Sequence, residues 1–413
     1  MQIEGVDYIE RFSPVAKSVT VRLFLALATA FQWPLHQVDI NNAFLHGYLD
    51  EEIFMTTPEG YFVPPGHAFT QAFLSGHDDC LFFKALPFGF IGLLVYVDDV
   101  LLMAPSLDLI SQVKVYLDGL FSIKDLGCAR YFLGLQIARS AAGTSITKSK
   151  YIHDIIRDCG LQSAKLVATP LPSGIKLHSA SSAPLADPER YRRLVGRLLY
   201  LCFTRPDISH SVQQLSQFIQ TPCQSHWRAV LHLVHYLSSC PNLGLFFPSS
   251  NSLQLQAFCD ADWGACLDSR CSLTGFAIFL GPALISWKTK KQSTVSRSSA
   301  EAEYRSMAAT SCELQWIAYL LKDFGVSVTL PKPFHCDNQV AIHIMANPVF
   351  HERTKHLDID YHGRAKLLQL SFSGLLGKLG LFAVAPSPTY WGEGSVGNSR
   401  MEDVNIASKA GIG

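Results

Sequence analysis

Charge of either sign is not in excess: Lys plus Arg and Asp plus Glu both number 34. That balance excludes a general electrostatic pull on nucleic acid and leaves any such binding to local patches. The eleven cysteines include no Cys-x-x-Cys pair, and Cys259, Cys266 and Cys271 lack the paired spacing and histidine partners of a zinc site. They read as reduced, mostly buried thiols of an intracellular protein. No apolar run approaches the ~20 residues of a membrane span; the most apolar, Ala85 to Val97, ends in two acids. The N-terminus carries Glu4, Asp7 and Glu10 and no apolar signal core, which argues against a secretory peptide. What is left is a globular chain, since 413 residues with 48% hydrophobic and 16% charged side chains can bury two or three cores.

The stretch Leu93-Leu94-Val95-Tyr96-Val97-Asp98-Asp99-Val100-Leu101-Leu102 organises the first half. Apolar and β-branched residues run into two adjacent carboxylates and out again, the pattern of a hairpin with acids at its turn. Side-by-side carboxylates raise each other's cost of ionising unless a divalent cation lies between them. Alone, such a pair reads first as a solvated turn between two buried strands. A third acid changes the balance: Asp39 ends the apolar strand Gln37-Val38-Asp39-Ile40, before the turn-prone Asn41-Asn42. Three strand-end acids can hold two Mg²⁺ ions and align a hydroxyl with a nucleotide phosphate.

Around this hairpin the chain reads as a helix from Ser18 to Phe31, a helix from Ser106 to Leu120, a hairpin turning at Ala141-Ala142-Gly143, and a helix from Lys150 to Cys159. Residues 168–188 carry four prolines and have linker composition. Helices are expected over Tyr191 to Thr204, Ile208 to Gln220 and Ser225 to Ser239. Strands follow at Leu253 to Phe258, Leu273 to Leu280 and Ala283 to Trp287, then a helix from Glu301 to Phe324 opened by the cap-like Ser298-Ser299-Ala300-Glu301. A short strand Phe334 to Cys336 and a helix Gln339 to Met345 complete an order of three strands, helix, strand, helix. Beyond His362 the composition is rich in Gly, Ser and Pro and predicts a poorly ordered tail.

A second set of acids sits in this later part. Asp260 ends a strand, Glu303 lies in the first turn of a helix, and Asp337 ends a later strand, so a mixed α/β sheet can bring all three to one edge. A two-metal nuclease needs that arrangement, one ion activating water and the other stabilising the leaving 3′-oxygen. Each acid singly also reads as a turn or helix cap. Asp262, two residues along, can assist Asp260. Lys288, Lys290, Lys291 and Arg297 cluster around Trp287 and suit a nucleic-acid backbone, though a solvated basic loop has the same composition. His351, Lys355 and His356 stand near the last acids, Asp358 and Asp360.

Taken together these residues resemble the Pol polyprotein of copia-type LTR retrotransposons, specifically its reverse transcriptase followed by ribonuclease H. Phe12-Ser13-Pro14-Val15-Ala16-Lys17, Gln37-Val38-Asp39-Ile40-Asn41-Asn42-Ala43-Phe44-Leu45-His46-Gly47 and Tyr96-Val97-Asp98-Asp99 resemble successive palm motifs. Thr204-Arg205-Pro206-Asp207-Ile208 resembles the connection. Asp260-Ala261-Asp262-Trp263, Ser298-Ser299-Ala300-Glu301-Ala302-Glu303-Tyr304, Cys336-Asp337-Asn338-Gln339 and Arg353-Thr354-Lys355-His356-Leu357-Asp358-Ile359 resemble the ribonuclease H part. The resemblance implies an α/β (α+β) protein: a reverse-transcriptase palm fragment over 1–167, a linker and helical connection over 168–245, a ribonuclease H-like mixed-sheet domain over 246–362, and an unrelated tail over 363–413. It implies Asp39, Asp98 and Asp99 as polymerase metal ligands, Asp260, Glu303 and Asp337 as those of ribonuclease H with Asp358 the remaining fourth acid, Mg²⁺ or Mn²⁺ as cofactor, and an RNA–DNA hybrid as partner. The sequence departs from the family in three places. The basic fingers region that precedes this segment is not present, no Leu-Tyr-Gly-Leu-Lys-Gln-like helix lies between the first acid motif and the hairpin, and the later Leu-Ala-Asp-like segment is replaced by the tail. The expectation is therefore a truncated, internally deleted fragment with an inactive polymerase half, a ribonuclease H half that retains its acids, and a non-catalytic remnant as the alternative.

Overall fold

The computed structural model describes residues 16–41, 73–162, 166–179, 182–327 and 333–346. Helix α1 (Ser18–Ala30) is buried around its whole circumference from Val19 to Thr29, which marks a helix enclosed by the protein rather than resting on its surface. Strands β1 (Leu35–Ile40), β2 (Phe73–Leu74), β3 (Leu81–Leu86), β4 (Gly89–Tyr96) and β5 (Asp99–Met103) follow, then α2 (Leu107–Leu120) and β6 (Ile123–Cys128). They form an antiparallel sheet in the order β2-β3-β4-β5-β1-β6. Strand alternation sorts its side chains between two cores. Leu94, Leu101 and Met103 pack with α1, while Val38, Ile91, Leu93, Val100 and Leu102 pack with Ile110, Val113 and Leu117 of α2. Ser106 caps α2 by accepting from the Leu109 amide.

A smaller sheet is built from β7 (Tyr131–Phe132), β8 (Leu135–Ser140), β9 (Gly143–Thr147) and β10 (Leu245–Pro248), in the order β10-β9-β8-β7. The turn is Ala141-Ala142, and Gly143 already pairs within β9. Glycine is required there: φ is +153°, and a Cβ would meet the Phe247 carbonyl oxygen at 2.2 Å. Strand β10 crosses 245/246, the boundary suggested by the sequence, and adds to a sheet made by residues a hundred positions earlier. Helices α3 (Ser149–Asp158), α4 (Pro188–Leu201), α5 (Ser209–Ser216) and α6 (Gln224–Ser239) pack around Ile152, Tyr191, Leu198, Val212, Val230 and Leu233. Helix α4 begins three residues before the expected Tyr191 because Asp187 caps it and Pro188 suits its first turn.

The last layer comprises β11 (Leu255–Asp262), β12 (Leu273–Leu280), β13 (Ala283–Lys291), α7 (Ser299–Asp323), β14 (Phe334–His335) and α8 (Gln339–Ala346). Its sheet runs β13-β12-β11-β14, antiparallel except for β14, which lies parallel to β11. The fold is mixed α/β with helices on its sheets. One core joins the layers, with α1 at its centre: Phe324, just past α7, meets Phe24 at 6.2 Å and Phe90 at 5.1 Å between ring centroids. Among the described residues no helix is long and apolar enough to cross a membrane. Asp358, His351, Lys355, His356 and the expected tail lie outside the described residues.

Candidate functional site

Two acid clusters are present. In the first, the register pairs Asp39 of β1 directly with Asp99 of β5, and Tyr96 with Asp99 across the hairpin, so Val97 and Asp98 form the turn. Val97 takes φ 57°, a left-handed conformation that a β-branched residue seldom adopts. The Ile40 amide donates to the Asp98 carbonyl at 2.8 Å and locks the turn onto β1. Gln37 lies two residues before Asp39, and its side-chain amide donates to Asp99 at 2.9 Å. Burial raises the Asp99 pKa, the Gln37 hydrogen bond opposes that, and the charges of Asp98 and Asp39 add to the rise.

In the second, Glu303 is buried in the first turns of α7 and faces β11. The Ala261 amide donates both to Asp260 Oδ1 at 2.8 Å and to Glu303 Oε1 at 3.1 Å, so the two carboxylates flank one N–H group. Cys336 Sγ lies 3.8 Å from Glu303 Oε2, and ligand atoms of Glu303, Cys336 and Asp337 all fall within 4.8 Å of one another. Among the described residues no other set of three acid, thiol or imidazole groups is so close, and that set does not include Asp260. Burial pushes the Glu303 carboxyl up to about 8, opposed by the Ala261 hydrogen bond and helped by Cys336, Asp260 and Asp337. A hydrogen bond from Cys259 brings the Cys336 thiol down to about 7, while the same contact and burial push Cys259 upward.

None of the ion pairs among the described residues involves Asp39, Asp98, Asp99, Asp260, Glu303 or Asp337. Neighbouring carboxylates without a cationic partner suit a divalent ion, and the oxygen-only chemistry of the first cluster suits a hard one, although the ligand oxygens of Asp39, Asp98 and Asp99 do not all fall within 4.8 Å of one another. Asp262 is exposed at the end of β11 on the Asp260 side. Lys288 and Lys290 project from edge strand β13 and Arg297 precedes α7, all three exposed; Lys291 instead turns to Cys266 Sγ at 3.8 Å. Sequence reading passed over Gln37, Cys259 and Cys336. Each had a signal: Gln37 shares the Asp39 face by strand alternation, and a Cys-Asp dipeptide recurs at both strand ends, Cys259-Asp260 and Cys336-Asp337.

The family described as reverse transcriptase (RNA-dependent DNA polymerase) matches residues 1–69 and 75–173. The retrovirus-related Pol polyprotein from transposon RE1 of Arabidopsis thaliana is 39% identical over 389 residues, covering 87% of this chain and 26% of the relative. A Saccharomyces cerevisiae protein ascribed to transposon Ty5-1 is 30% identical over 308 residues, covering 67% of this chain and 100% of the relative. A foamy viral protease-reverse transcriptase, solved in complex with RNA/DNA hybrid, aligns at a TM-score of 0.40 and 13% identity over 92% of this chain and 48% of that one. The chain spans about a quarter of the length of the Pol polyproteins that it matches over most of its own length. With ordered motifs, a shared profile and a relative matched from end to end, the chain belongs to the copia-type retrotransposon Pol family and carries its reverse transcriptase domain.

Proposed function

We propose that the C-terminal half cuts the RNA strand of an RNA–DNA hybrid in a Mg²⁺-dependent manner, as a ribonuclease H joined to a polymerase half that no longer adds nucleotides. The observation that carries this reading is the meeting of Asp260 and Glu303 at the Ala261 N–H, with Asp337 beside Glu303. Strand β11 and helix α7 bring Asp260 and Glu303 on rigid elements, and Asp337 follows the parallel strand β14 by two residues, in the bend before α8. Mg²⁺ or Mn²⁺, when bound, supplies the charge that turns water into a nucleophile and offsets charge on the leaving oxygen. The protein's part is to hold the acids: Ala261 orients Glu303, and burial keeps a proton on Glu303 at neutral pH until a cation replaces it. The exposure of Lys288 and Lys290 on β13 and of Arg297 before α7 supports a role for them in meeting phosphates.

The polymerase half keeps Asp39, Asp98 and Asp99 in register. Its proposed inactivity rests on the sequence between Gly60 and Gly76, which carries no counterpart of the family's nucleotide-facing helix. Cleavage of a labelled RNA–DNA hybrid with Mg²⁺, beside an Asp337→Asn control, tests the proposal. Cutting that disappears in the control supports it; no cutting by folded protein overturns it. One observation favours a second reading, a non-catalytic nucleic-acid-binding remnant: Asp260 is not part of the set of mutually close ligand atoms. Hybrid binding without cleavage selects that reading.

A further inference from the structure

We propose that Glu303, Cys336 and Asp337 form a mixed thiolate and carboxylate site for a thiophilic divalent cation of the Zn²⁺ class. Three observations carry it. The three ligand atoms already lie within 4.8 Å of one another. The two oxygens of Glu303 are divided: Oε1 accepts from the Ala261 amide at 3.1 Å, while Oε2 faces Cys336 Sγ at 3.8 Å. Such a backbone hydrogen bond is the outer contact that fixes a metal-binding carboxylate. The third observation is the Sγ to Oε2 spacing itself. A tetrahedral ion with bonds of ~2.3 Å to sulfur and ~2.1 Å to oxygen separates those ligands by about 3.6 Å, close to what is present. Octahedral Mg²⁺ instead places neighbouring oxygens about 2.9 Å apart and takes no thiol.

Glu303 is buried and Asp337 exposed, so three protein ligands close one side and the fourth position opens to water. On binding, Cys336 and any protonated Glu303 release their protons to solvent, and nothing is oxidised or reduced. Because Glu303 and Asp337 are shared, the same ion would displace Mg²⁺ and stop hybrid cleavage; that consequence alone rests on the hydrolytic reading above.

The test is titration of the full chain, kept reduced, with Co²⁺ as the spectroscopic probe. A near-ultraviolet sulfur-to-cobalt charge-transfer band is expected in the wild type, reversed by equimolar Zn²⁺ and not by excess Mg²⁺. Cys336→Ser, with unchanged circular dichroism, is expected to lose the band. Asp337→Asn alters an exposed side chain and so tests the site even if Cys336→Ser fails to fold; it keeps the band but needs at least about tenfold more Co²⁺. A wild type without the band, a band unchanged in Cys336→Ser, or an unaltered affinity in Asp337→Asn overturns the proposal. The readout is optical, so it stands or falls apart from cleavage.

Discussion

The two acid clusters are assembled by different devices. Asp39, Asp98 and Asp99 come together through strand register alone, two adjacent strands and a two-residue turn placing all three. Asp260, Glu303 and Asp337 depend on packing, because a helix must settle on β11 and a short parallel strand must add beside it. Register leaves its acids near the surface, where Asp99 is raised by burial and by its neighbours, whereas packing buries Glu303 and brings it to about 8. The difference teaches that a hairpin aligns its carboxylates by local pairing, with little demand on what packs around it. A packed cluster is better evidence that its surroundings survive.

The largest expected effect tests that contrast through activity. Glu303→Gln or Asp337→Asn should lower Mg²⁺-dependent hybrid cleavage by at least about 10²-fold, the scale of losing one preorganised group at a charged transition state. Primer extension on an RNA template should stay at background in the wild type. Extension above background would mean that register alone suffices for catalysis, and the contrast would fail.

Next comes the link between the two regions. Arg22 on α1 is buried and donates to the carbonyls of Ile285 at 2.8 Å and Phe203 at 2.9 Å, with its guanidinium 4.0 Å from the Trp287 ring centre. Burial lowers its pKa to about 9. Arg22→Met leaves two carbonyls without their donor and should cost about 2–4 kcal/mol in urea unfolding. Wild type should unfold in one transition by every probe. If the variant separates it into two, α1 is what makes the regions one cooperative unit; no loss of stability would show that they are independent.

A smaller effect is carried by pH. Glu303 ionises near 4.5 when unfolded and at about 8 when folded. Between those values the folded state binds more protons, so stability falls as pH rises through the window and levels off above it. Melting temperature without divalent ions should drop by several degrees from pH 5 to pH 8, and Glu303→Gln should flatten that slope. An unchanged slope in the variant would assign the titration to another group. The Asp99 cluster, nearer water, should add little.

How much was legible follows the same division. An apolar, β-branched run into and out of two acids showed the β4 and β5 hairpin, and Asp39 was found in a similar strand-end setting, because composition and a turn are local signals. The order of three strands, helix, strand and helix was readable too, and so was the Ser298 cap, whose hydroxyl accepts from the Glu301 amide. Strand β6 was not readable: its residues are mostly exposed and show no alternation, so pairing with β1 creates it. Strand β10 was missed because its partner is a hundred residues away. The thiols beside Glu303 had only the recurring Cys-Asp dipeptide as a signal, since a cysteine looks like any small apolar residue until the fold shows what faces it.

The smallest expected effect concerns the turns that present the two clusters. After β5's partner strand β4, the left-handed position is filled by Val97 at φ 57°; after β11 it is filled by Gly264 at φ 62°. An L residue pays roughly 1–2 kcal/mol for that conformation, while glycine loses about 0.5–1 kcal/mol in unfolded-chain entropy. Val97→Gly should therefore stabilise the protein by about 0.5 kcal/mol, although it removes a side chain. Gly264→Ala should destabilise it by about 1 kcal/mol, although a Cβ there has room, its nearest contact being the Arg270 guanidinium at 3.5 Å. Opposite signs in paired thermal melts would show that the hairpin turn holds strain which the second turn avoids. Loss of stability in Val97→Gly would instead show that packing of the Val97 side chain outweighs its backbone conformation, and the first cluster would then depend on packing as the second does.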